Sequence, residues 1–211
     1  MDRYKRYENL KSQERQGIDY RIRQRSGNSG VAILSIHGGD IEPGTSCIAE
    51  AIAGPDHAFY AFEGIKASGN LGLHITSSHF DEPAAIELIK GSKTAISIHG
   101  CAQMEPMAYV GGLDFEFRDR IIDTLRRFGF PATTSAKPPF GGMDRANICN
   151  LCSRGMGVQI EISKGLRAQM FRDLTPHGRQ LPTQTLSRFA NAVRQAISLS
   201  IDSINPLCQS G

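Results

Sequence analysis

Apolar residues are spaced along this chain with two periods, and the alternation between them predicts its elements. Val31–Ile36 and Thr94–Ile98 are short runs rich in Ile, Val and Ala, each closing on the same tetrapeptide, Ser-Ile-His-Gly at 35–38 and at 97–100. Runs of that length followed by Gly read as buried strands of a parallel or mixed sheet. Tyr20–Arg25 alternates polar and apolar residues as a half-exposed edge strand would. His57–Phe62, Leu73–Thr76, the end of 103–110, Phe130–Ser135 and Gly157–Ser163 complete the strand set; the last is apolar except for Gln159, Glu161 and Ser163. Helical spacing appears in Ile48, Ala51 and Ile52 after a cap at Thr45 or Ser46. It recurs from Pro83 to Lys90 behind a cap at Asp81, and in the stripe Phe117, Ile121, Leu125 and Phe128. Leu186, Phe189, Val193, Ile197 and Ile201 mark a last helix over 185–204. Residues 1–19 form a charged lead-in, and 137–156 a long Gly-, Pro- and Asn-rich loop of the kind that is usually functional.

The strand–helix–strand order around 83–98 implies a crossover between neighbouring parallel strands. No composition shift marks a boundary, so the 211 residues are expected to form one α/β domain, with the repeated tetrapeptide a local echo and not a duplication.

Composition removes several function classes. A net charge of +3 is too small to argue for nucleic-acid binding, and a chain without Trp and with 7% aromatics is a poor base-stacking platform. No apolar run reaches membrane-spanning length, and Met1–Lys5 leads into charged residues without a signal-peptide core. Cytoplasmic synthesis is therefore expected, with any action outside the cell requiring lysis or a non-standard exit. The five cysteines (Cys47, Cys101, Cys149, Cys152, Cys208) form no disulfide framework. Cys149 and Cys152 lack the second pair a zinc ribbon needs, and they sit too late in the chain for a redox motif, so they read as ordinary reduced thiols.

If the strands ending in His37 and His99 run the same way, both imidazoles leave the sheet at its carboxyl edge, where open α/β sheets bind ligands. Glu42 follows His37 on a loop that must curl back. Two imidazoles and a carboxylate, with a fourth position open to water, form the ligand set of a catalytic zinc. No HExxH motif is present. Glu161 is the candidate proton acceptor, because a carboxylate inside an apolar strand is costly to bury without a role; the alternating period equally allows it to face solvent. Gly39–Thr45 has the glycine spacing of a phosphate-binding loop, but Thr45 stands where the Lys is required, and Asp40 and Glu42 would repel phosphate. His79, just before a helix, is either a group reaching the cleft or a turn residue. Arg145, Arg154 and Arg167 are candidate forks for a substrate carboxylate, with a solvated surface role as the alternative.

The segments His37–Ser46, His74–Pro83, Ser97–Gly100, Asn147–Asn150 and Gly157–Arg167 closely resemble the poly-γ-glutamate hydrolases of phages and prophages of bacilli. The resemblance runs from about residue 17 to the C-terminus. It implies a zinc-carboxypeptidase-like fold, a three-layer α/β/α domain with a mixed, twisted, mostly parallel sheet. It further implies one zinc ion on His37, Glu42 and His99, Glu161 as general base, and hydrolysis of γ-glutamyl amide bonds. The expected partner is the anionic polymer poly-γ-glutamate, met by a monomer with no nucleic acid and no membrane. His79, Arg145, Arg154 and Arg167 are the expected substrate-binding residues. Glu42 lies five positions after His37, where the carboxypeptidase clan spaces the pair His-x-x-Glu, so the loop must bulge to present it. The rival readings are a zinc amidase acting on an acylated amino acid or a cell-wall peptide, and a polyanion-binding protein without catalysis.

Overall fold

A computed structural model describes residues 2–134 and 141–204. Its strands are β1 (Tyr20–Arg25), β2 (Val31–Gly39), β3 (Ala58–Gly64), β4 (Thr94–Cys101), β5 (Ala108–Gly112), β6 (Ala132–Thr134) and β7 (Val158–Ser163). They form one sheet in the order β1-β3-β2-β4-β7-β5-β6. The central pairs β3–β2, β2–β4 and β4–β7 are parallel, as is β5–β6, while β1 and β5 run antiparallel to β3 and β7. The helices are α1 (Tyr7–Lys11), α2 (Thr45–Ala53), α3 (Pro83–Lys90), α4 (Phe115–Arg127), α5 (Lys164–Gln169) and α6 (Gln184–Ile204). Ser135, residues 137–140 of the long loop, Cys208 and the side chain of Ile201 lie outside the described set.

Successive side chains of a strand point to opposite faces, and the two faces of this sheet are both covered. Val31 and Ile33, Ile96 and Ile98, and Val158, Ile160 and Ile162 pack with Ile48 and Ile52 of α2, Phe117, Ile121 and Leu125 of α4, and Phe189, Val193 and Ile197 of α6. On the other side Ala32, Leu34, Ile36, Tyr60 and Phe62 meet Leu10 of α1, Phe80, and Ala85 and Ile89 of α3. The result is a three-layer α/β/α domain with a mixed, mostly parallel sheet. Each of the larger buried side chains contributes about 1.5–3 kcal/mol of transfer free energy.

The crossover through α3 joins β3 to β4, which are not neighbours as expected but lie on either side of β2. Three further local expectations are corrected. Leu73–Thr76 is not a strand: Asn70–Leu73 is a 3-10 turn, because β3 already has neighbours at both edges and offers no free ladder. Glu82, not Asp81, caps α3 by accepting from the Ala85 N–H at 2.8 Å, and Asp81 instead accepts from the Tyr7 N–H at 2.7 Å. At the start of α2 the cap position is Gly44, in the left-handed region at φ 98°, and the Thr45 hydroxyl donates back to the Glu42 carbonyl at 2.9 Å. The charged lead-in also belongs to the core, since Tyr4, Tyr7 and Leu10 are buried. No helix among the described residues is long and apolar enough to cross a membrane. Cys47, Cys101, Cys149 and Cys152 are free thiols.

Candidate metal centre

β2 and β4 are parallel neighbours in the register Leu34↔Ser97, so the two Ser-Ile-His-Gly segments end at the same edge. Simple alternation would still send His37 to the face opposite His99. Ser35, two residues earlier, points toward α2, where its hydroxyl donates to Thr45 Oγ1 at 2.9 Å. A bulge corrects this: the register of β2 on β3 shifts between Ser35 and Gly38. An inserted residue bends a strand and re-aims its side chains. His37 thereby turns toward His99, with the two Nδ1 atoms 3.1 Å apart.

The loop after β2 then folds back on itself. Gly39, at φ 64°, makes the reversal; a Cβ there would also strike the Gly64 carbonyl. The Glu42 N–H donates to the His37 carbonyl at 2.9 Å, which sets the carboxylate beside the ring of its own strand's histidine. Glu42 Oε1 lies 3.1 Å from His37 Nδ1 and Oε2 3.7 Å from His99 Nδ1, while Oε2 accepts from the Gly100 N–H at 2.8 Å. Asp40, on the same loop, is anchored by Arg179 at 2.6 Å.

The donor set suits a divalent cation. His37 Nε2 sits 2.8 Å from the Ile75 carbonyl, which can only accept, so the proton is on Nε2 and the Nδ1 lone pair faces inward. His99 Nε2 is 2.8 Å from the Ser97 hydroxyl; with its proton given there, its Nδ1 faces inward as well. Two imidazole lone pairs and a carboxylate then converge within 4.8 Å of one another. Three acceptors facing each other in a buried site repel unless a cation sits between them. Outer hydrogen bonds that fix the ring tautomer, like those the rings give to the Ile75 carbonyl and the Ser97 hydroxyl, usually surround a metal site. Both histidines are 2% exposed. Burial depresses His37, but the Glu42 charge and hydrogen bond outweigh it and raise its pKa. At His99 burial, helped by His37 and His74, outweighs the pull of Glu42 and takes the pKa down to about 3. Glu42, pushed up by burial, is drawn down to about 2 by His37 first and then His99.

Glu161 lies opposite His99 in the β4–β7 register. It does not face solvent: it is 7% exposed, and burial, reinforced by the Glu42 charge, holds its carboxyl well above the ordinary range. A cavity of about 570 Å³ opens beside it, lined by His37, Glu42, His74, His99, Ser77, Ser78, Asn147 and Gln159 among others. His74, which the sequence left without a role, stacks on His37 with ring centroids 3.9 Å apart and has its Nδ1 2.8 Å from Asp2 Oδ1. The sequence placed it in an expected strand and at the start of the resembling segment His74–Pro83, but neither showed that it stacks on His37. Asn147 and Gln159, also missed, could have been suspected from polar residues inside a loop and strand otherwise buried.

The expected substrate-binding residues are dispersed. His79 and Arg145 are exposed and, like Arg154, are not among the residues lining this cavity. Arg154 is paired with Asp114 at 2.7 Å. Arg167 is 4% exposed and donates to the carbonyls of Ile162 at 3.0 Å, Cys101 at 2.9 Å and Pro43. Arg167 also lines a second cavity, which it shares with Glu42, Pro43, His74 and Gly100.

A family model described as poly-gamma-glutamate hydrolase matches residues 4–192. The UPF0714 protein YndL of Bacillus subtilis is 39% identical over 171 residues, 81% of this chain and 67% of that protein; the chain spans about two thirds of the length of its curated relatives. The structure of a bacteriophage poly-gamma-glutamate hydrolase superposes with a TM-score of 0.91 at 33% identity, covering 95% of this chain and 98% of that one. A zinc-free apo form of YndL superposes at 0.90 with 34% identity, covering 95% and 99%. An N-formylglutamate amidohydrolase from Ralstonia eutropha JMP134, 9% identical, shares the fold at 0.52 over 89% of this chain and 98% of its own. The chain belongs to the poly-gamma-glutamate hydrolase family and is a hydrolase of that type.

Proposed function

We propose that this protein cleaves γ-glutamyl amide bonds of poly-γ-glutamate with one zinc ion held by His37, Glu42 and His99 and with Glu161 as general base. The reading is carried by the convergence of the three acceptor atoms one strand away from a buried carboxylate. A zinc ion in that position supplies Lewis acidity, polarising a carbonyl and making water easier to deprotonate near neutral pH. Glu161, whose carboxyl has a raised affinity for protons, takes a proton from the attacking water. As the water oxygen bonds to the γ-carbonyl carbon and the C–N bond breaks, the same carboxyl returns the proton to the leaving amine. Gln159 Nε2 donates to Glu161 Oε1 at 3.1 Å and holds it in place. The hydroxyls of Ser77 and Ser78 and the amide of Asn147 line the cavity and offer neutral donors to the polymer's carboxylates. The apolar cores beneath the sheet keep the centre fixed while substrate enters from its carboxyl edge.

Purified poly-γ-glutamate incubated with the protein should shorten, stop shortening when the metal is chelated, and shorten again when zinc is restored. Binding of polymer without any shortening would support a non-catalytic polyanion binder. Cleavage of an acylated amino acid or cell-wall peptide with the polymer left intact would support the amidase rival.

A further inference from the structure

Arg167 is buried and always charged, and it gives three of its five N–H donors to backbone carbonyls. Its Nε donates to the Ile162 carbonyl at 3.0 Å, one Nη to the Cys101 carbonyl at 2.9 Å and the other to the Pro43 carbonyl. Those three carbonyls have a common relation to the centre. Pro43 follows Glu42 directly, Cys101 lies two residues after His99, and Ile162 follows Glu161 directly. They belong to three different segments leaving the sheet, those after β2, within the end of β4 and within the end of β7. His37 joins the same assembly because its carbonyl accepts from the Glu42 N–H.

Local sequence delivers the guanidinium to this point. Ser163 ends β7 and caps α5 by accepting from the Leu166 N–H at 3.2 Å. The single turn that follows brings Arg167 back over the strand ends. Gly100 makes the room: a Cβ there would lie 2.6 Å from Arg167 Cζ. An arginine tip normally swings away from such a contact, but this one is pinned on three sides. The charge has compensation nearby in Glu42 and Glu161, both of which act on it.

We propose that Arg167 is the positioning residue of the metal centre, tying the carbonyls of Pro43, Cys101 and Ile162 to one planar guanidinium and so setting the spacing of Glu42, His99 and Glu161. The inference rests on the metal-centre reading above. A lysine keeps the charge but replaces a rigid five-donor fork with a point ammonium, so it cannot hold three carbonyls in one plane.

The test is Arg167→Lys in the full chain, with cobalt(II) as a spectroscopic probe of the centre and chelator competition as a measure of zinc affinity. Loss of a group in the second layer of a metal site costs 10- to 100-fold in affinity or activity. Arg167→Lys should accordingly weaken zinc binding by about 10-fold or more, change the cobalt absorption bands, and lower kcat while KM for the polymer stays within about threefold. Gly100→Ala, which keeps the arginine but pushes on its tip, should give the same signature and serves where Arg167→Lys does not fold. Unchanged bands, zinc affinity and kcat in the variants, with only a lower melting temperature, would reduce Arg167 to a structural residue and overturn the proposal. A rise in KM alone would make it a substrate ligand and overturn it equally. Wild-type protein that takes up no cobalt would remove the metal-centre reading itself, a result distinct from failure of the variants alone.

Discussion

Gln159 and Glu161 are two residues apart on β7 and share one face of the sheet, where Gln159 Nε2 donates to Glu161 Oε1 at 3.1 Å. Gln159 is itself held, since its Oε1 accepts from Asn147 Nδ2 at 2.9 Å. Burial favours the protonated form of Glu161, and the Gln159 hydrogen bond is one of the interactions favouring the ionised form. Gln159→Leu therefore raises the Glu161 pKa further. The acidic limb of the kcat/KM profile should move to higher pH, with activity near neutrality falling about 5- to 30-fold, a cost of roughly 1–2 kcal/mol. An unmoved limb would remove Gln159 from the support of the base.

Glu161→Gln is nearly isosteric and leaves the three acceptor atoms of the centre untouched. Zinc content should stay at the wild-type level while polymer hydrolysis falls by about 10²–10⁴-fold, the range for loss of a positioned acid–base group. Turnover at the wild-type rate would exclude Glu161 from proton transfer.

The same substitution has an opposite effect on the stability of the metal-free chain. In that form the folded state binds the Glu161 proton more tightly than the unfolded state does. Stability then falls as pH rises above the ordinary carboxyl value of 4.5 toward the higher folded value. Glutamine carries no such proton, so metal-free Glu161→Gln should melt above the metal-free wild type at about pH 7, and the margin should close by about pH 4. Thermal melts of chelated protein across that range decide it, and a margin independent of pH would contradict the burial of an ionising Glu161.

Metal itself should act as a stabilising ligand, because the centre exists only in the folded chain. At zinc about 1,000-fold above its dissociation constant the gain is about 4 kcal/mol. Chelation should lower the melting temperature measurably and zinc should restore it; a melting temperature indifferent to both would argue against a site built by His37, Glu42 and His99.

Arg154 pairs with Asp114, the residue that caps α4. Arg154→Met should cost about 1 kcal/mol of stability and leave KM for the polymer unchanged. A several-fold rise in KM would return Arg154 to the substrate-binding role its position in the long loop suggested.

The layered α/β architecture could be read from the chain because buried strands and amphipathic helices announce themselves by period: Val31–Ile36, Thr94–Ile98 and the Phe117–Leu125 stripe needed no partner to be recognised. The resemblance in the segments around His37, His99 and Glu161 carried the family. Hydrogen-bond partners could not be read that way. Whether Leu73–Thr76 became a strand depended on a free edge of β3, and which residue capped α3 depended on α1 drawing Asp81 away.

Sequence by itself determined which side chains are available, two histidines in matched strand ends with one carboxylate between them and one in a later strand, and the chemistry those groups can perform. Tertiary structure alone decided that His37 turns toward His99, because the bulge between Ser35 and Gly38 is a property of strand pairing and not of either residue. It also decided that Arg167 faces inward, since the three carbonyls that receive it come together only when the ends of β2, β4 and β7 lie side by side. Period fixes what a residue is next to along the chain; long-range pairing fixes what it is next to in space.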